Sequence, residues 1–335
     1  MLAGGISMVK IGIYLPVYGG WLPSRESAKA VADGSYFDRE EEERPSYSYV
    51  KEVALKAEKI GVDSVWIPDH MLNPIKGGHA PALEAWTVAV AIAEATEKVI
   101  IAHTTLCEAF RPPAVLAKMA ATLDDVSNHR FWLSIGAGWY KREYEAYGLP
   151  FYEHDERVRR AGEAIEIIRR LWRENGITFK GKYYQIINGV LEPKPKKIPL
   201  WYAGVSEASR NLVAEKADGW LMRGCSVEEA RKNIEDMKKR LKKAGRDEEE
   251  MEFAIPALTF IRDTDEEALN HMEKLTGGRR NVLDRTLDTG LVGSPETVAE
   301  KIRKFEEAGI DHILLQLTPT LKEVDNVQRV LEFLR

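Results

Sequence analysis

Two histidines, a glycine-rich turn and a serine-led turn are the parts of this sequence best suited to chemistry. His70 closes the run Pro68-Asp69-His70 and His103 opens His103-Thr-Thr105, each where a short β-branched or aromatic stretch ends. An imidazole in such a place can act as acid or base, although it serves as readily as a hydrogen-bonded packing residue. Asp69 could orient His70, but neighbours along a strand point to opposite faces, so adjacency alone establishes no dyad. Gly136-Ala-Gly138-Trp139 lets the backbone approach a flat ligand closely and adds an aromatic wall. Ala203-Gly204-Val205-Ser206 joins a turn glycine to an N-cap serine, and the free N–H groups of the helix start attract a phosphate. Simple capping explains Ser206 equally well. In His154-Asp-Glu-Arg157, Arg157 offers permanently charged, planar donors to the same anion, or sits on a solvated helix face.

Other chemistries lack their residues. Metal-dependent hydrolase barrels need clustered histidines and carboxylates, commonly His-x-His after the first strand, and no metal site is expected here. There is no Gly-x-Ser-x-Gly elbow, and neither Cys107 nor Cys225 carries a nucleophile signature. What remains is a pocket for a flat, partly apolar cofactor, with Trp21, Trp66, Phe110 and Trp139 as candidate walls against water.

The elements that must position these residues alternate, short β-rich runs with longer amphipathic ones, as in a parallel sheet with crossover helices. Eight strands are expected: Val9 to Leu15, Ser64 to Ile67, Val99 to Thr104, Phe131 to Ile135, Leu200 to Ala203, Gly219 to Met222, Glu252 to Phe260 and His312 to Leu317. Eight favours a single closed (β/α)8 TIM barrel spanning residues 1–335, with reactive groups at the C-terminal strand ends. Similar joints recur at Ala57-Glu-Lys-Ile-Gly61 and Phe305-Glu-Glu-Ala-Gly309, each ending a helix at glycine before a strand. Three stretches exceed the minimal barrel: 21–44, 178–199 and 276–292. The first and third are expected as lids and the second as a hairpin with a Pro-rich linker.

Composition bounds the partners. Of 335 residues, 44% are hydrophobic and 30% charged, as in a globular protein. A net charge of -5 gives no general attraction to nucleic acid or to an anionic membrane. The start lacks the signature of a secretory leader and the two cysteines suggest no disulfide framework, so a cytoplasmic location is expected.

Several stretches look familiar in order: Lys10-Ile-Gly-Ile-Tyr-Leu-Pro16, Gly20-Trp-Leu22, Arg111-Pro-Pro-Ala-Val-Leu-Ala-Lys-Met-Ala-Ala-Thr-Leu-Asp124, Asn128-His-Arg-Phe131, Gly136-Ala-Gly-Trp-Tyr-Lys-Arg-Glu-Tyr144, Leu171-Trp172, Ala203-Gly-Val-Ser206 and Leu291-Val-Gly-Ser294. Together they resemble the bacterial luciferase-like flavin monooxygenase family, most of all its pyrimidine oxygenase and alkanesulfonate monooxygenase branch. The resemblance implies a luciferase-like barrel, a homodimer or higher homo-oligomer, that takes reduced FMN from a separate flavin reductase and oxidises a small organic substrate with O2. By motif position it implies that Ser134 and Glu143 face the flavin, Arg157 and Val158 its ribityl phosphate, and Ser206 the phosphate. Pro68, Asp69, Gly136, Gly138, Trp139, Gly204 and Val205 complete the expected cofactor site, with His70 and His103 as catalytic candidates. Ser134 stands where the pyrimidine oxygenases have Asn, and Pro68-Asp-His70 departs from their second-strand end. That Asp-His pair is similar to the branch using a deazaflavin coenzyme of the F-420 type, which implies the alternative of hydride transfer to or from an alcohol or imine. A non-catalytic flavin-binding role is a second alternative.

Overall fold

The computed structural model describes residues 9–21, 44–276 and 278–335. Eight parallel strands form its centre: β1 (Lys10–Tyr14), β2 (Ser64–Ile67), β3 (Ile100–His103), β4 (Phe131–Gly136), β5 (Leu200–Ala203), β6 (Gly219–Leu221), β7 (Glu252–Ile261) and β8 (His312–Gln316). Each pairs with the next, and β8 returns to β1 with Lys10 opposite His312, so the sheet closes into a TIM barrel. All eight expected strands are present, with ends within a residue of the expected ones. The joints behave as their sequence requires. Gly61 ends the helix Tyr47–Ile60 at φ 85°, and Gly309 follows the helix Pro295–Glu307 at φ 97°, the left-handed region that glycine enters without cost.

Aromatic side chains fill the barrel. Tyr14, Trp66, Ala102, Trp201, Leu221, Ala254 and Leu314 make one buried cluster, with Trp132 packed against it. These residues come from all eight strands, and only the interior is shared by all eight. Trp132 and Trp201 stack at 5.5 Å, Trp66 meets both edge-on, and its indole N–H donates to Ser64 Oγ at 2.9 Å. The floor is polar. Lys10 Nζ lies 2.9 Å and His312 Nε2 3.4 Å from the Glu252 carboxylate. The His312 imidazole at that distance, reinforced by Lys10, holds that carboxyl down to about 2 against the opposing effect of burial. A second, larger apolar layer joins the outer strand faces to the helices.

The three extra stretches differ from one another. Residues 22–43, most of the first expected lid, lie outside the described residues. The second contains the expected hairpin, an antiparallel pair of Ile177–Lys180 with Gln185–Gly189. The third is largely a helix, Arg280–Thr289, followed by a short strand Leu291–Gly293 that pairs with the end of β7. Leu283 and Val292 pack there against Phe260 and Met272, so an apolar stripe anchors this segment to the barrel. No helix among the described residues is long and apolar enough to cross a membrane.

Candidate active site

A cavity of about 690 Å³ opens at the C-terminal ends of the strands. Tyr14 ends β1, Asp69 and His70 follow β2, Thr104 and Thr105 follow β3, Gly136 to Trp139 leave β4, Ala203 to Ser206 leave β5, and Leu221 to Arg223 leave β6; all line it. This is the end of a barrel at which chemistry is built, and the volume suits a cofactor-sized ligand.

Asp69 and His70, both on the loop that follows β2, have separate partners. His70 Nδ1 lies 2.8 Å from Oε1 of Glu143, on the short helix Lys141–Ala146. The Glu143 carboxylate is 2% exposed and also accepts the backbone N–H groups of Met71 and Leu72, the latter at 3.2 Å. A carboxylate held this way fixes a proton on Nδ1 and leaves Nε2 as the nitrogen a ligand can use. Asp69 instead takes a two-pronged contact from Arg111, 2.8 Å to Oδ2 and 3.1 Å to Oδ1, and accepts the Cys107 N–H at 2.9 Å. Asp69 therefore ties the segment after β3 to β2 rather than orienting the histidine. Arg111 also bonds Glu84 at the start of the helix Ala85–Ala95.

The turn after β4 is moulded around Tyr144. Gly138 has φ 73°, and a Cβ there would fall 2.0 Å from the Tyr144 hydroxyl and 2.7 Å from Cys107 Sγ. Only glycine combines that backbone with that approach. The Tyr144 hydroxyl lies 3.0 Å from Cys107 Sγ and donates to the Ala137 carbonyl at 3.3 Å. Burial pushes the Cys107 thiol up to about 12, so it is a protonated wall and not a nucleophile. Burial likewise raises the phenols of Tyr14 and Tyr144, which remain hydrogen-bonding walls. Trp139 is 64% exposed, meets His70 edge-on at 5.5 Å and stacks on Tyr140 at 5.3 Å.

An anion cradle forms at the opposite wall. Ser206 caps the helix Glu207–Lys216, its Oγ accepting the Ser209 N–H at 3.2 Å and lying 2.9 Å from His154 Nε2. A Cβ on Gly204 would fall 2.5 Å from Ser209, so this glycine lets the turn close over the helix start. Arg157 comes from the neighbouring helix His154–Arg173. It is 8% exposed, its guanidinium lies 4.1 Å over the Phe151 ring, and its shielded Nε has no partner among the described residues. A buried guanidinium with a vacant donor beside a capped helix N-terminus is suited to a phosphate.

Ten of the residues expected from the sequence therefore line one cavity: Asp69, His70, Gly136, Gly138, Trp139, Glu143, Arg157, Gly204, Val205 and Ser206. Four do not. His103 is fully buried between Trp86, on which it stacks at 5.5 Å, and Phe131, so its ring points toward the helix layer. Burial, helped by the Arg111 charge, pushes it down to about 3; it is a neutral packing residue. Val158 belongs to the outer apolar core, because it directly follows Arg157 on a helix and faces elsewhere. Ser134 is buried opposite Trp201 inside the barrel, and Pro68 bridges β2 to Asp69 without lining the cavity. Of the expected walls, Phe110 and Trp139 line the cavity, Trp66 lies in the barrel interior, and Trp21 packs on Tyr14 and Tyr18. Composition alone did not single out Thr104, Tyr144 or Arg111. No group of three metal-ligating side chains occurs among the described residues.

The sequence and the fold have counterparts. The family model for luciferase-like monooxygenases matches residues 18–288. The chain is 30% identical over 258 residues to the FMNH(2)-dependent dimethylsulfone monooxygenase of Pseudomonas fluorescens (strain Pf0-1), covering 67% of this chain and 70% of that protein. It is also 30% identical over 291 residues to the F420-dependent glucose-6-phosphate dehydrogenase of Amycolatopsis mediterranei (strain U-32), covering 78% and 86%. A solved F420-dependent secondary alcohol dehydrogenase superimposes with a TM-score of 0.78 over 98% of this chain and 99% of that one; at 23% identity this likeness speaks for the fold alone. With a family model covering most of its length and the matching barrel, this chain belongs to the luciferase-like monooxygenase family.

Proposed function

We propose that the protein is a flavin-dependent monooxygenase that uses reduced FMN and O2 to oxidise a small organic substrate, with a separate flavin reductase providing the reduced cofactor. The observation that carries this reading is one cavity with a carboxylate-oriented histidine on one wall and an anion cradle on another. Arg157, Ser206 and the backbone beyond Gly204 would hold the cofactor phosphate, and the turn Gly136 to Gly138 would border its ring. Reduced FMN supplies the electrons with which oxygen is activated. His70, held at Nδ1 by Glu143, gives or takes a proton through Nε2. Phe110, Trp139 and Tyr144 narrow the cavity against bulk water, which protects a reactive intermediate from unproductive breakdown.

The second reading, an oxidoreductase using a deazaflavin coenzyme on an alcohol or imine, is favoured by the dehydrogenase relative, whose match spans more of the chain than that of the sulfone monooxygenase. The same dyad would handle the substrate proton. Titration with reduced FMN, oxidised FMN and the deazaflavin coenzyme, followed by fluorescence and thermal stability, separates the two. Preferential binding of reduced FMN, with oxygen consumption and product formation in the presence of a reductase, supports the first; preference for the deazaflavin overturns it. Flavin binding without turnover of any substrate would leave a binding role. Buried, unpaired Cys107 and Cys225 fit a reducing cytoplasm, and the family resemblance supports a homodimer.

A further inference from the structure

We propose that the N-terminal end of the barrel carries a second ligand site, for a polyphosphate, independent of the cofactor cavity. A cavity of about 630 Å³ lies there, nearly as large as the one at the other end. It is built where the helix His154–Arg173 ends and where the chain enters β5, β6 and β7, so Pro195, Ile198 and Pro199 form a stiff apolar wall and Trp172 another.

The charges are uneven. Asp218 is engaged by Arg169 at 2.8 Å and by the Leu200 N–H at 2.8 Å. Glu252 is engaged by Lys10 and His312 inside the barrel floor, and Glu250 faces Arg246 at 3.9 Å. Each carboxylate lining the cavity thus faces a cationic side chain. Arg173, Lys196 and Lys197 line it too; the Lys196 backbone N–H donates to Asp124, but none of the three side chains has an acidic partner among the described residues. Three exposed cations without a carboxylate partner line one concavity and, in a chain of net charge -5, make a local field of opposite sign to that of the whole molecule. Such a field selects a compact multivalent anion over a monovalent one, because attraction scales with ligand charge. A guanidinium and two ammonium groups around a recess suit the dispersed oxygens of a polyphosphate. Free pyrophosphate and the polyphosphate of a nucleotide share that chemistry, and the Trp172 wall would add affinity for a nucleotide base.

The test is calorimetric titration of the full chain at low ionic strength, with FMN present in excess, using sodium pyrophosphate, ATP and orthophosphate. One saturable site per chain is expected, with pyrophosphate at least about tenfold tighter than orthophosphate. ATP binding more tightly than pyrophosphate would identify a nucleotide as the source, and equal affinity would identify the polyphosphate alone. The double variant Arg173→Gln/Lys197→Gln should weaken pyrophosphate by about tenfold or more, whereas Lys51→Gln on another helix should not. FMN affinity should be the same in all three proteins. Absence of saturable binding, an unchanged affinity in the double variant, or displacement of pyrophosphate by FMN would overturn the proposal.

Discussion

Glu143 Oε1 and His70 Nδ1 meet at 2.8 Å across 73 residues of chain, joining the end of β2 to the helix that follows β4. The carboxylate is buried and accepts two further backbone N–H groups, so it is a fixed acceptor and the imidazole is the movable proton carrier. His70→Asn should lower kcat by about 100-fold or more, the usual share of a positioned acid or base. FMN affinity should change little, since the phosphate cradle is on the other wall. Steady-state rates and flavin titration check this; an equal fall in cofactor affinity would make His70 a binding residue only. Glu143→Gln should reduce kcat less than His70→Asn and also cost stability, because it trades a charge-assisted acceptor for a neutral one.

The cradle makes a different prediction. Arg157→Ala should weaken FMN more than Ser206→Ala, since a charge-assisted contact is worth about 1.5 to 3 kcal/mol and a capping hydrogen bond about 1. Riboflavin, which lacks the phosphate, should bind both variants and the parent alike. If Ser206→Ala lowers thermal stability without touching FMN affinity, the serine only caps the helix Glu207–Lys216.

His103 should be silent in catalysis and visible in stability. Its pKa is pushed down to about 3 in the folded protein, whereas an unfolded chain titrates near the ordinary value of 6.5. Between those values the unfolded state binds the extra proton, so stability is lost as pH falls from 6.5 toward 3. His103→Gln should flatten that part of a melting-temperature profile while kcat stays within about threefold of the parent, there being no acid or base contribution to lose. A large loss of kcat with unchanged FMN binding would restore a catalytic role.

The two histidines show how far the sequence reaches. Both end strands and look alike in one dimension. His70 stands three residues past Ile67, on a loop free to bend into the cavity, while His103 is still inside β3 with its side chain on the outer face. The strands themselves were legible because apolar runs and helix-ending glycines such as Gly61 are local signals. The His70–Glu143 contact was not, because barrel closure creates it. Glu143 was expected at the site only through the family resemblance, facing the cofactor, and its contact with the histidine had no local sign. The 276–292 stretch, expected as a lid, has an anchor with no local sign: Leu283 on the helix Arg280–Thr289 packs toward Phe260 and Met272, a contact that only the folded chain creates. Val158 shows the same limit: on a helix, the residue after a cavity-facing arginine points elsewhere, and its side chain sits in the outer apolar core.

Gly138 offers a test of the cavity wall itself. At φ 73°, a Cβ would collide with the Tyr144 hydroxyl at 2.0 Å, so Gly138→Ala carries both a backbone cost and an overlap. A loss of about 2 kcal/mol or more is expected, because the strained backbone alone costs on the order of 1 kcal/mol. Tyr144→Phe removes the colliding oxygen, together with its contacts to Cys107 and the Ala137 carbonyl. Gly138→Ala should therefore be less damaging in a Tyr144→Phe background than in the parent. The double-mutant cycle from denaturant unfolding reads this as a coupling between the two positions. Strict additivity would mean that the turn relieves the overlap by moving away from Tyr144, and FMN affinity should then fall with the displaced backbone of Gly136 to Gly138.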